Sequence, residues 1–283
     1  MNTKLILVLL SILIFGGCAS FESAKTVGKI GATLTDYKPL NDNVAFLCES
    51  IQQTKGFTEL PCDSLRSRYK TLNAGIDILA SYSAVLLLAI NDNDFTLSDL
   101  VGQVAGAGQS AKWLNANDDQ IAGSKGIAAA LQTLVVNGLK RKAIRETVRN
   151  VALPVDSVCL AMLSNINLQK QAYATYLAGV QVRYTVNSQF QKKLAGTDAD
   201  QLATFNLNND VLLLANKFAR DEVDKLERAA KIIESFSISH RKLAEKSSLI
   251  GHNKDAQLQN EIIDSIKGIF SGIEAFKTPV SGN

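Results

Sequence analysis

The sequence predicts an all-α fold, an elongated antiparallel helical bundle whose C-terminal half is built on two very long helices. Three observations carry this. Apolar residues recur every three or four positions across residues 65–90, 159–194 and 211–243, the repeat of a helix face. No stretch alternates apolar and polar side chains long enough for a strand. The chain has only four prolines in 283 residues, and proline is the residue a helix interior tolerates least.

Taken in order, Val27, Ile30, Leu34 and Tyr37 form a first stripe that Pro39 stops. Asp42 is placed to cap a short helix carrying Val44, Leu47 and Ile51. The clearest stripe follows: Leu65, Tyr69, Leu72, Ile76, Leu79, Tyr82, Leu86 and Ile90, entered through Pro61 and Asp63 or Ser64. Its end, Ala84 to Ile90, is apolar all round, which implies burial on several sides. A turn is expected at 91–94. The segment 97–114 holds Gly102, Gly106 and Gly108. Each glycine costs up to about 1 kcal/mol in a helix, so this segment reads as a weak helix or a close helix–helix contact.

After a turn at 115–119, helical spacing resumes at Ile127, Leu131 and Leu134 and runs to about Asn150. The first long helix starts near Pro154, with a stripe of Cys159, Met162, Ile166, Tyr173, Tyr176, Val180, Tyr184 and Leu194. A break at 195–200 leads to the second, about Asp200 to Ser247, with Ala215, Ala219, Val223, Leu226, Ala230, Ile233, Phe236 and Leu243 as its seam. At 1.5 Å per residue each helix spans roughly 60–70 Å. A last helix carries Leu258, Ile262, Ile266, Ile269, Ile273 and Phe276, and Pro279 ends it.

The first twenty residues follow a different logic. Lys4 supplies a charge, Leu5 to Phe15 an apolar run and Gly16-Gly17 small residues, the order of a secretory signal. About eleven apolar residues fall short of the ~20 that span a bilayer. Phe15-Gly16-Gly17-Cys18 resembles the lipobox of bacterial lipoproteins. That resemblance implies cleavage before Cys18 and lipid on its thiol, each buried CH₂ contributing about 0.8 kcal/mol to membrane attachment. Asp after the lipidated cysteine resembles an inner-membrane retention signal. Ala19 in its place implies an outer-membrane anchor facing the periplasm. The resemblance is confined to residues 1–20. The expected division is a lipoprotein signal peptide at 1–17, a tether at 18–25, a single helical-bundle domain at 26–278 and a short tail at 279–283.

Export sets the redox setting for the remaining cysteines, Cys48, Cys62 and Cys159. Cys48 and Cys62 flank a stretch with Gly56 and Pro61, which permit a turn. A disulfide there would close a loop of about 15 residues and contribute about 3 kcal/mol; the alternative is two buried thiols. Cys159 shares the stripe of Met162 and Ile166 and reads as a core thiol.

Composition excludes several functions. The formal net charge is +3, and removal of residues 1–17 takes one lysine, leaving +2, too near neutral to point to nucleic acid. A single tryptophan, Trp113, argues against a sugar-stacking cleft. The glycines of 102–108 lack the lysine–hydroxyl pair of a phosphate loop and no strand precedes them, and the Ala122–Gly126 stretch lacks the first glycine at the needed distance. His240 lies on an apolar seam and His252 in a turn, twelve residues apart, with no zinc-binding pattern. A serine or cysteine nucleophile lacks a recognisable base, and the acidic pairs Asp118–Asp119 and Asp221–Glu222 read as solvated faces or caps. No catalytic residue, cofactor or metal is therefore expected.

One cluster stands apart. Lys140, Arg141, Lys142, Arg145 and Arg149 fall near what the periodicity reads as a helix C-terminus, where cations complement the helix dipole. Against that stands an anionic partner: phospholipid or lipopolysaccharide head groups, peptidoglycan, or an acidic protein face. The dipole reading is the simpler.

The function expected from all this is a lipid-anchored envelope protein that binds or scaffolds an envelope partner through helix faces. The alternatives are an immunity-like inhibitor of an envelope-acting toxin, or a hydrolase whose carboxylates spacing does not assign. The anchor has a direct check. Cells expressing Cys18→Ser and labelled with a palmitate analogue should yield unlabelled protein, whereas wild type should be labelled; equal labelling would end the lipoprotein reading.

Overall fold

The computed structural model describes residues 21–37, 44–45, 47–49, 60–90, 118–136, 141–194 and 199–274. Among these the elements are helices, with no strand, so the chain is all-α. Helix α1 covers Glu22–Ala32 and passes into a 3-10 turn, Thr33–Tyr37. Then come α2, Cys62–Ile90; α3, Asp118–Val136; and α4, Arg141–Asn150. The two long helices are α5, Ala152–Leu194, and α6, Ala199–Glu245. A 3-10 turn at Ser247–Leu249 leads to α7, Asp255–Glu274.

The long helices form an antiparallel hairpin, and their side-chain partners establish it. Asp156 near the start of α5 meets Ser237 and Arg241, and Lys170 meets Glu227 further along. With 43 and 47 residues the two helices are about 65 and 70 Å long. Pro154 lies in the first turn of α5, where its missing N–H is no loss. Helix α2 packs against α5 and runs opposite to it, with the Asn165 side chain donating to the Arg68 carbonyl at 3.2 Å. Helix α1 lies on α2, α6 and α7, and α3 lies on α5.

The stripes read from the sequence form the core. Leu65, Tyr69, Leu72, Ile76, Leu79, Tyr82 and Leu86 of α2 are buried, as are Cys159, Met162, Ile166, Tyr173, Tyr176 and Val180 of α5. Helix α2 is long and apolar enough to cross a membrane; here those apolar residues are the centre of the core. Cys48 and Cys62 are bonded, with Cα atoms 5.8 Å apart, and Cys159 is a free, buried thiol.

Four departures from expectation have physical reasons. Helix α1 begins at Glu22, inside the stretch assigned to a tether, because Ser23 and Ala24 are buried rather than solvated. The helix expected to run from Ile127 to Asn150 is divided into α3 and α4; the sequence between them contains Asn137-Gly138, a pair that favours turns over helix. Tyr184, placed on the core stripe, is exposed. The described part of the basic cluster lies along α4 rather than at the end of one continuous helix. The 97–114 segment, the Asp42 cap, Cys18 and Lys140 lie outside the described residues.

Close helix contacts depend on missing side chains. At Gly31 of α1 an added Cβ would run into the Ser83 side chain and stand 2.6 Å from Phe236 Cε2. At Gly75 of α2 it would lie 2.7 Å from Met162 of α5. A cavity of about 20 Å³ remains beside Gly75, lined by Leu72, Ile78, Val158 and Met162 among others, room for about one water.

Gly31→Ala should lower stability by about 1–3 kcal/mol through overpacking, although alanine is the better helix former by about 1 kcal/mol. Adding Ser83→Gly removes the Ser83 part of the obstruction, leaving that of Phe236, and should restore part of the loss. Urea titration of the two variants checks this; a neutral or stabilising Gly31→Ala would show that α1 does not pack as described.

Candidate functional site: buried polar anchors and an uncharged outer face

The least ordinary feature of the core is a charged residue. Glu222 of α6 is fully buried, and burying a carboxylate is costly unless it is paired and hydrogen-bonded. Both conditions are met. Tyr69 of α2 donates to Glu222 Oε2 at 2.9 Å, and Lys225 donates to Oε1 at 2.7 Å. The Tyr69 hydroxyl also lies 3.0 Å from that of Tyr173 on α5. One turn before Tyr173, Gln169 donates to Asn165 at 2.9 Å, and both are buried. Three helices are thus joined through polar atoms. Burial pushes the Tyr69 hydroxyl above its ordinary value, and Tyr173 and Glu222 add to the shift. Burial likewise raises Tyr173, while its hydrogen bond with Tyr69 works the other way. These phenols stay protonated, which is what a carboxylate acceptor needs. Lys225 keeps its ammonium partly in water. The arrangement is chemically a lock: its donors are spent on Glu222, and its ring faces fill the core.

A second buried group sits further along α6. His240, expected as a satisfied seam histidine, is enclosed by Tyr82 and Phe236. Its Nε2 lies 2.8 Å from the Tyr82 hydroxyl. Burial holds it down at about 4, against a smaller upward pull from Asp156. The thiol of Cys159 is pushed up by burial, with Asp156 adding and Arg241 opposing, so it is not a nucleophile at neutral pH. Asp156 itself accepts from Ser237 at 2.9 Å and Arg241 at 3.0 Å. Among the described residues no group of acidic, histidine and cysteine side chains is arranged to hold a metal.

The described part of the basic cluster lies along α4, with Arg149 in its last turn, where the dipole favours cations. Lys142 has a weak pairing with Glu146 at 3.8 Å. Arg145 donates to the Ile250 carbonyl at 2.8 Å, pinning α4 to the turn before α7. That turn is held from the other side by Asp255, fully buried, which accepts from Ser23 Oγ at 2.5 Å, from the Ser23 amide at 3.2 Å and from the Gly251 amide at 3.3 Å.

The outward faces of the two long helices differ in kind. On α6 the exposed residues include Lys217, Arg220, Asp221, Asp224, Glu227 and Glu234, the ordinary solvated face. On α5 every described exposed side chain from Leu153 to Gln189 is uncharged. Leu153 is 78% exposed, Leu160 63% and Val182 66%. At 100° per residue Leu153, Leu160, Leu168, Val182 and Val186 fall within an arc of about 80°. Sequence reasoning followed the inner stripe of α5 and missed this outer one. The signal was present as an absence: residues 157–169 contain no acidic or basic residue.

His240 gives the fold a pH dependence with a definite sign. Folded, it stays neutral down to about pH 4; unfolded, it returns to its ordinary 6.5. Below pH 6.5 the unfolded chain therefore binds the extra proton, and stability falls as pH drops until the folded ring titrates too. The loss between pH 6.5 and 4.5 is about 2–3 kcal/mol from this residue. His240→Gln removes the titration, so its stability should fall less over that interval in urea unfolding. Equal losses in the two proteins would remove His240 from the account.

Comparison with known protein families, with curated proteins and with solved structures found no match to this chain.

Proposed function

We propose that the protein is a lipid-anchored envelope protein, held at the outer membrane facing the periplasm through Cys18, that acts by binding an envelope partner along the outer face of α5. The exposed leucines and valines of α5, Leu153, Leu160, Leu168, Val182 and Val186, carry this reading. Its neighbour α6, of similar length, exposes mostly charged residues on its outer face, with Leu213, Leu214 and Ile238 the exposed apolar ones. Exposed apolar stretches of this extent mark interaction surfaces. From Leu153 to Val182 the face runs about 45 Å. Burying a leucine or valine fully contributes about 1.5–3 kcal/mol each, so a few of these residues suffice for specific association.

The hydrolase alternative draws less support. It calls for a carboxylate or histidine open to a cleft, whereas Glu222 and His240 are enclosed and engaged. The arrangement that favours binding is a closed core under an apolar exterior, and these residues fit it.

The test is comparative capture from solubilised envelope. Full-length protein should co-purify a partner after cross-linking. Leu160→Glu with Leu168→Glu and Val182→Glu should reduce its recovery at least tenfold, while Glu234→Lys on α6 leaves it unchanged. Identical recovery with all three proteins would exclude the α5 face as the contact surface.

A further inference from the structure

We propose that α4 and the turn after α6 form a membrane-facing surface, which lies against the anionic phospholipid head groups of the bilayer that holds the lipid anchor. This rests on the anchor at Cys18 proposed above, and it assigns the basic cluster to one occupant.

The reach from the anchor to the fold is short. Phe21, the first described residue, is three positions after Cys18, and three extended residues span about 10 Å. That is close to the roughly 8 Å over which charges act at physiological salt. Whatever surrounds the start of α1 therefore lies within electrostatic range of the head groups. The start of α1 is not a loose end: Ser23 is fixed to Asp255 through its amide and its hydroxyl. The same carboxylate holds the Gly251 amide, so the turn 251–254 is fastened beside the anchor point. Gly251 has a positive φ of 70°, which lets this tight turn form. Arg145 then ties α4 to the turn through the Ile250 carbonyl.

Charge complementarity names the occupant. The ten residues of α4 include four basic and one acidic, in a chain whose whole net charge is only +3. The side chain of Lys142 is 86% exposed, and Arg149, Lys254 and His252 are exposed as well. Of the acidic groups nearby three are engaged or enclosed, while Glu245 at the end of α6 is exposed. Glu22 pairs with Lys25 at 3.2 Å, Glu261 with Lys246, and Asp255 is buried. Glu146 is the one acid on α4, 3.8 Å from Lys142. An anionic surface offers about fivefold in affinity for each basic residue brought near it.

The experiment is hydrogen–deuterium exchange on full-length lipidated protein in two vesicle preparations. One contains phosphatidylethanolamine with 30% phosphatidylglycerol, the other phosphatidylethanolamine with phosphatidylcholine. The amides of 141–150 and 251–255 should exchange several-fold more slowly in the anionic vesicles, and 0.5 M salt should abolish the difference. Lys142→Glu with Arg149→Glu and Lys254→Glu should abolish it too, whereas Lys217→Glu on α6 should not. Lys142→Gln with Arg149→Gln and Lys254→Gln gives the same reading should the reversal impair folding. Equal exchange in both vesicles, with Cys18 shown by mass spectrometry to carry lipid, overturns this surface and leaves the anchor standing. An unmodified Cys18 overturns the anchor and this proposal with it.

Discussion

A carboxylate enclosed where three helices meet constrains the rest of the fold. Glu222 is buried in α6, and an unpaired charge there would be far too costly to keep. Its acceptor sites are filled by Tyr69 from α2 and Lys225 from α6, and Tyr173 from α5 completes the contact through Tyr69. Apolar stripes attract one another without specifying register, since sliding by one turn exchanges leucine for leucine. A Tyr–Glu contact does not slide. If α2 moved by one turn, about 5.4 Å, the phenol would leave the carboxylate and expose no substitute. The polar layer therefore selects one alignment from the several that hydrophobic packing would accept, a role for which buried polar groups are well attested in helical assemblies.

Further along the same pair of helices, Tyr82 and His240 repeat the device with neutral groups. The two contacts, Tyr69–Glu222 and Tyr82–His240, fix α2 parallel to α6 at two heights. Gly31 lets α1 close over Ser83 and Phe236 between them. Among the described residues, Asp156 and Lys170 at the flanks of α5 add charged contacts to α6, while the outer side of α5 exposes Leu153, Leu160, Leu168, Val182 and Val186.

Most of the helices were legible in the sequence because their signals are local. Leu65 through Leu86 and Cys159 through Val180 fall on the buried faces that their spacing indicated, and Cys48 and Cys62 are bonded as the short intervening loop allowed. The errors share one cause: local patterns do not say what lies opposite. Glu222 sits beside Asp221 and reads as half of a solvated acidic pair; only the arrival of Tyr69 from 153 positions away makes it a core residue. Ser23 looks like tether until Asp255, 232 positions later, accepts its hydroxyl. Tyr184 keeps the period of the inner stripe, yet it is exposed in the fold.

The basic residues of α4 lie beside the start of α5. One residue, Val151, separates the end of α4 from the start of α5, and Leu153 follows Arg149 by four positions. The surface thus passes from cationic to uncharged across a single helical junction, a transition too sharp to serve solubility, which favours mixed charges everywhere. Two neighbouring surfaces of opposite character suit two different contacts. If the basic one rests on head groups, the apolar one begins at the edge of the membrane and extends from it along α5. A partner reading that face would meet it at one height and one orientation, set by the anchor, by Asp255 and by Arg145 rather than by the long helices themselves. Search in a plane then replaces search in a volume, which raises the effective concentration of a membrane-bound partner and lets a modest apolar interface suffice.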